Sequence, residues 1–225
     1  MSAFGGPNII TDGLVLNLDA GNRKSYPGSG TTWFDKSGNG NNGTLINGPT
    51  FNTGSLGSIV FDGVDDYCSG SILVPSSFTV NFWFKPLQLR NYNPGFIINN
   101  WGDFIWHTTS VGSIYCGTDL GNRFNPSSPG CASGSIAVNT IYNYTYTFNS
   151  GVGSLYKNGV LITTSNSHLT PVSAGTVKPY FVASSPGDGY GISNVISYIF
   201  QIYNRALSPQ EILQNYNATK GRFGL

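Results

Sequence analysis

The stretch FTVNFWFK, Phe78 to Lys85, decides the fold class. Phe78, Val80, Phe82 and Phe84 point one way and Thr79, Asn81, Trp83 and Lys85 the other, the period of two that marks a half-buried β-strand. Ile141 to Phe148 repeats the pattern, with Tyr142, Tyr144, Tyr146 and Phe148 on one face and Ile141, Asn143, Thr145 and Thr147 on the other. Such aromatic stripes are read as sandwich core rather than as a ligand platform, because each ring brings a large apolar area to be buried.

Outward from these two segments, further strands are expected at Leu14 to Leu18, Ser58 to Asp62, Phe96 to Asn99, Ser113 to Cys116, Leu155 to Lys157, Val160 to Thr164, Val177 to Val182 and Ile196 to Tyr203. Asn158-Gly159 stands between two alternating runs, and both residues tolerate positive φ, so it predicts a type I′ hairpin. Thirty Gly and 12 Pro supply turn chemistry at the spacing of many short strands. One helix is expected near the end: Ser208 caps it, Pro209 suits its first position, Glu211 completes a capping box, and Ile212, Leu213 and Tyr216 share a face. The run SGNGNNG, Ser37 to Gly43, is a loop too short to link domains. The 225 residues therefore predict one all-β domain, a sandwich of short strands with one short C-terminal helix. Residues 1–12 are expected as an arm, 13–219 as the domain and 220–225 as a tail.

Charged residues are only 9% of the chain and the net charge is +1, with Lys and Arg scattered singly. No basic stripe exists to neutralise a run of phosphates, so nucleic acid is excluded as a partner. No run approaches the ~20 apolar residues that cross a bilayer as a helix, and the N-terminus MSAFGGPNIITDG carries no export signal. Cys68, Cys116 and Cys131 are an odd number without zinc-site spacing. They are read as reduced packing residues, with a Cys116–Cys131 bridge as the alternative.

Six signatures occur in order: GLVLNLDAGN (13–22), WFDKSGNGNNGTL (33–45), IVFDGVDDY (59–67), FTVNFWFK (78–85), LYKNGVLI (155–162) and IFQIYNRALSPQEI (199–212). Together they resemble the laminin-G-like, concanavalin A-like jelly-roll family from about Gly13 to Tyr216. The resemblance implies an all-β, two-sheet antiparallel jelly-roll sandwich, its sheets curved, with the one short C-terminal helix near the termini. The opening phrase, LNLDAGN leading into SYPGSGTTWFDKSGNGNNGTL, is similar to virion structural proteins of tailed bacteriophages. Many members of the family carry an Asp where this chain has Ser197 after Ile196, which removes a carboxylate that could anchor a cation.

The family's fold also hosts glucan hydrolases, which need two carboxylates flanking the scissile bond. This chain has one glutamate, Glu211, already used as a cap, so no catalytic residue is assigned. His107 and His168 lie in no triad or metal-helix context, and no glycine-rich phosphate loop opens a helix. Asp62, Asp65 and Asp66 are read as a strand end and turn whose carboxylates bond backbone amides. With Asp35 and Asp19 they leave a structural calcium as the one cofactor option, and no metal site is assigned. For sugar, the segment NNWGDFIWH (99–107) offers Trp101, Asp103, Trp106 and His107, with core filling by either tryptophan as the competing role. The acceptor triplets at Asn42, Asn143 and Asn217 are ascribed to composition.

The expected function is a non-enzymatic virion structural protein, a bacteriophage capsid decoration, cement or fibre component. It would be made in the host cytoplasm, be homo-oligomeric or multi-copy, and bind other capsid or tail proteins. Its contacts are assigned to Phe4, Ile9 and Ile10 of an arm expected to be mobile in a monomer. The alternative is a carbohydrate-binding, lectin-like module or adhesin that recognises cell-surface polysaccharide.

Overall fold

β7 (Phe78–Pro86) is the central strand of the first of two antiparallel sheets. The computed structural model describes residues 7–54, 56–91, 93–99, 103–118, 122–132, 134–183 and 193–225. Around β7 the order is β14 (Val160–Ser165), β13 (Val152–Lys157), β12 (Tyr142–Asn149), β7, β16 (Asn194–Tyr203), β5 (Ser58–Asp62) and β4 (Thr50–Asn52). β16 is ten residues long, so β5 and β1 (Leu14–Asp19) both pair with it, at Asn194–Ser197 and at Ile199–Tyr203. The second sheet runs β11 (Arg123–Phe124), β10 (Ile114–Gly117), β9 (Phe104–Thr108), β8 (Asn93–Ile98), β15 (Val177–Val182), β6 (Tyr67–Leu73), β3 (Gly43–Ile46) and β2 (Thr32–Trp33).

The aromatic stripes meet as the sequence predicts. Phe78, Val80, Phe82 and Phe84 of β7 and Tyr142, Tyr144, Tyr146 and Phe148 of β12 face Phe96, Phe104, Trp106 and Phe124 of the second sheet in one buried cluster. Several rings meet edge to face, the arrangement their quadrupoles favour: Phe78 on Phe104 at 5.8 Å and Phe82 on Trp106 at 4.9 Å. Cys68, Cys116 and Cys131 are free thiols in the same cluster, and burial pushes the Cys131 thiol up to about 12.

β7 is not half-buried, because its other face is covered as well. The helix α1 (Pro209–Lys220) and a 3-10 turn (Gly221–Phe223) lie over it, and the Trp83 ring stacks on Tyr216 at 5.6 Å and on Phe223 at 4.3 Å. Arg222 adds an ion pair to Asp19 at 2.6 Å, so the tail is anchored to the sheet through Arg222 and Phe223. Polar residues on that face bond one another across four strands. Asn143 and Thr145 both donate to Asn81 at 2.8 Å, Asn81 donates to Gln201 at 2.8 Å, and Gln201 to Asn17 at 3.3 Å. A buried amide is tolerated only with such partners. Asn143 is thereby buried, which closes its acceptor triplet to modification.

The capping box is present as expected, with Ser208 Oγ accepting from the Glu211 amide at 3.3 Å and Glu211 accepting from the Ser208 amide at 2.8 Å. Not foreseen was Arg205, whose guanidinium grips Glu211 at 2.6 and 3.0 Å and holds that carboxyl down at about 2. Asn158 and Gly159 both have positive φ, 52° and 78°, as their turn requires.

The arm differs from expectation. Ile9 and Ile10 pack against a cluster of Leu14, Tyr156, Tyr203, Leu207 and Ile212. The Ile10 amide donates to Asn215 Oδ1 at 2.8 Å and its carbonyl accepts from the Tyr203 hydroxyl at 3.0 Å. The chain's own strands and helix thus hold this part of the arm, which was expected to be mobile, and cover Ile9 and Ile10 in part. Phe4 lies outside the described residues.

Candidate functional site

β9 carries the residues read as sugar-binding, and period two divides them between opposite faces of the sheet. Trp106 points inward. It is 2% exposed and packed on Phe82, Phe84 and Tyr144, so its ring is core and closed to a sugar. Gly95 of β8 makes room for it, since a Cβ there would lie 2.3 Å from the indole. Asp103 is fully buried, and its Oδ1 accepts from the Ser173 amide at 2.9 Å, tying down the loop before β15. His107 points to the outer face but lies beneath the Tyr115 ring, stacked on it at 4.8 Å. Burial holds its imidazole near 4, against an ordinary value of 6.5, and Arg123 adds to the shift. Trp101 lies outside the described residues. The three described residues, Asp103, Trp106 and His107, do not share one accessible face.

His168 is a satisfied core residue, as read, bonded to the Tyr146 hydroxyl at 2.5 Å. Asp62, Asp65 and Asp66 come together, with carboxylate oxygens within 4.8 Å of one another. Their bonds are those of a turn: Asp62 Oδ1 accepts from the Val64 amide at 2.7 Å, and Asp66 Oδ2 from the Asp62 amide at 3.2 Å. Burial, more than the neighbouring carboxylates, raises the Asp66 pKa.

The principal cleft is elsewhere, at the end of the sandwich where β1 and β6 approach. It has a volume of about 810 Å³, within the usual range for small-molecule sites. One wall is the SGNGNNG loop, and its shape follows from Asp35. The Asp35 carboxylate accepts from the Asn17 and Ser37 amides at 2.8 Å each, the Ser37 hydroxyl at 2.7 Å and the Asn41 amide at 3.0 Å. Gly38 and Gly40 take positive φ, 95° and 75°, so that the loop can wrap this one side chain.

The folded loop sets two amides on the rim. Asn39 donates Nδ2 to the Leu14 carbonyl at 3.2 Å and Asn41 to the Val15 carbonyl at 2.8 Å. Each side chain is fixed by its donor end, and both residues line the cleft. Asn204, Ser71 and Ser76 add uncharged polar groups, and Leu73 and Val177, register partners on β6 and β15, form an exposed aliphatic wall. No charged side chain lines the cleft among the described residues. The sequence signal was the SGNGNNG run itself. The aliphatic wall had none, because β6 carries Gly70, Ser69 and Ser71 where alternation would be looked for.

The family model described as the concanavalin A-like lectin/glucanases superfamily matches residues 61–213. Among curated proteins no sequence matches this one. Of solved structures, domain 4 of AbnA, a GH43 extracellular arabinanase from Geobacillus stearothermophilus solved with arabinotriose, superposes with a TM-score of 0.68 at 17% identity. That match covers 90% of this chain and 98% of that one. Trypanosoma rangeli sialidase superposes with a TM-score of 0.72 at 15% identity over 93% of this chain. This chain spans only 33% of the sialidase. At these identities the likeness is one of fold.

Proposed function

Because the chain belongs to the laminin-G-like branch of the concanavalin A-like lectin/glucanases superfamily, we propose that it is a non-enzymatic module that binds a neutral oligosaccharide in the amide-lined cleft. The observation that carries this reading is the cleft's lining. Asn39, Asn41, Asn204, Ser71 and Ser76 match the hydroxyls of a sugar, Leu73 and Val177 match its C–H faces, and no charge selects for an ionic ligand. The arabinotriose on the domain it resembles belongs to that domain, and suggests the class of probe for this one. The absence of catalysis is supported by Glu211, whose carboxylate is held by Arg205 and by the Ser208 amide. A general acid needs a raised pKa and access to substrate. Glu211 has the opposite shift.

The test is calorimetric titration with neutral oligosaccharides, arabinotriose among them. Binding by the wild type, weakened at least tenfold in Asn204→Ala and abolished when Val177→Trp fills the cleft, is the expected result. Equal binding by Val177→Trp, or none by the wild type, would sink the reading.

A multi-copy structural role, of the virion kind suggested by the sequence, is the second reading, and β14 favours it. Of the other edge strands among the described residues, β4, β2 and β11 have two or three residues and β1 is covered on its outer side by the Asp35 loop, whereas β14 is six residues without charge or proline. Val160 and Leu161 are exposed at its start. Such an edge is a template for pairing with another chain. Sedimentation of the wild type against Leu161→Lys tests it: a wild-type monomer removes the support for this reading.

A further inference from the structure

Far along the second sheet from the amide-lined cleft, its outer face carries a ladder of three side chains. His107 of β9 stacks on Tyr115 of β10 with 7° between the rings, and the Arg123 guanidinium of β11 lies 4.6 Å from the centre of the Tyr115 ring. With Asn91 and Thr109 they line a second cleft of about 260 Å³. Arg123 Nη1 is buried without a hydrogen-bond partner, and no carboxylate pairs with Arg123 among the described residues. A desolvated guanidinium donor left unpaired is among the costliest polar groups a fold can hold, and contact with Tyr115 offsets only part of that cost.

The other lining groups do not compete for the charge. Asn91 spends its Oδ1 on the Ser110 amide and hydroxyl, at 3.2 and 3.1 Å, which leaves its Nδ2 to donate. Thr109 Oγ1 accepts from the Ser113 amide at 3.2 Å, which leaves its hydrogen to donate. Among the described residues the cleft is rich in donors, has one positive charge and has no facing acid. That pattern fits a ligand that only accepts, and the planar fork of an arginine matches a carboxylate with two parallel bonds.

We infer that this second cleft binds the carboxylate of an acidic sugar, with Arg123 as the anchor and Asn91, Thr109 and the Tyr115 hydroxyl serving the ring hydroxyls beside it. The volume suits one sugar residue, below the range of sites for larger ligands. The site does not depend on the proposal for neutral oligosaccharides, since the two clefts share no residue.

The experiment titrates the full chain with glucuronate, glucose and acetate, following binding by NMR. Glucuronate is expected to bind at least tenfold more tightly than either glucose or acetate. Arg123→Gln should lose that binding, and Arg123→Lys, which keeps the charge without the fork, should weaken it about tenfold. The lysine variant decides the matter if the glutamine variant does not fold. Val177→Trp, which blocks the other cleft, should leave glucuronate binding unchanged. Equal affinity for glucose would overturn the charge assignment, and equal affinity for acetate the sugar assignment. Binding unaffected by either arginine variant would also overturn the inference.

Discussion

The Tyr180 hydroxyl, carried on a ring wholly buried in the core, donates to the Asn41 carbonyl at 3.1 Å and so props the rim of the principal cleft from beneath. The ring reaches the loop by crossing over Gly70, its register partner on β6. A Cβ on Gly70 would lie 2.5 Å from the phenol and 2.6 Å from the Asn42 carbonyl, so glycine is required by close approach rather than by its backbone angles.

That contact sets the first prediction. Gly70→Ala should lower stability by about 1–3 kcal/mol, since ring and loop must both shift. Tyr180→Phe should cost about 1 kcal/mol and mainly loosen the loop. Urea unfolding checks the stabilities. Oligosaccharide titration should show weaker binding in Tyr180→Phe, and an unchanged affinity would mean that the rim holds its shape without this bond.

A second prediction concerns the helix start. Ser208→Ala removes the acceptor for the Glu211 amide and should cost about 0.5–2 kcal/mol. Arg205 and Glu211 remain joined in the variant, so the helix should still form. Circular dichroism should show it, with a lowered unfolding midpoint; an unchanged midpoint would place the start of the helix elsewhere.

His107 sets a third. Its folded pKa, near 4, lies below the unfolded value of about 6.5, so the unfolded chain takes up a proton first as the medium is acidified. The stability this neutral imidazole provides is complete above pH 6.5 and is lost as the pH falls towards 4, by about 3 kcal/mol in all. Unfolding midpoints at pH 7, 5.5 and 4.5 should therefore fall more steeply in the wild type than in His107→Gln. Parallel slopes would count against a buried neutral imidazole.

How much of this was legible in sequence differs by element. β7 and β12 were, because alternation over eight residues leaves only one way to place seven aromatic rings and a valine. β6 and β9 were not. β6 spends its residues on glycine and serine to let Tyr180 cross, and β9 has aromatic or imidazole rings on both faces. Trp106 illustrates the loss: a tryptophan between an isoleucine and a histidine suits a binding loop as well as a core, and only its strand register turns it inward.

Local chemistry by itself determined the all-β class, the Asn158-Gly159 turn, the Ser208 cap and the single glutamate's use in that cap. Each of these rests on neighbours in the chain or on simple residue count. Tertiary structure alone decided that Ile9 and Ile10 dock on the chain's own strands and helix, that Phe223 covers Trp83, and that no carboxylate among the described residues pairs with Arg123. It also decided that Asn39, Asn41, Leu73 and Val177, distant in sequence, share one cleft. The reason is physical: period and capping act within a few residues, whereas a cleft or an unpaired charge is a property of which strands become neighbours, and that is set by burying the whole aromatic core at once.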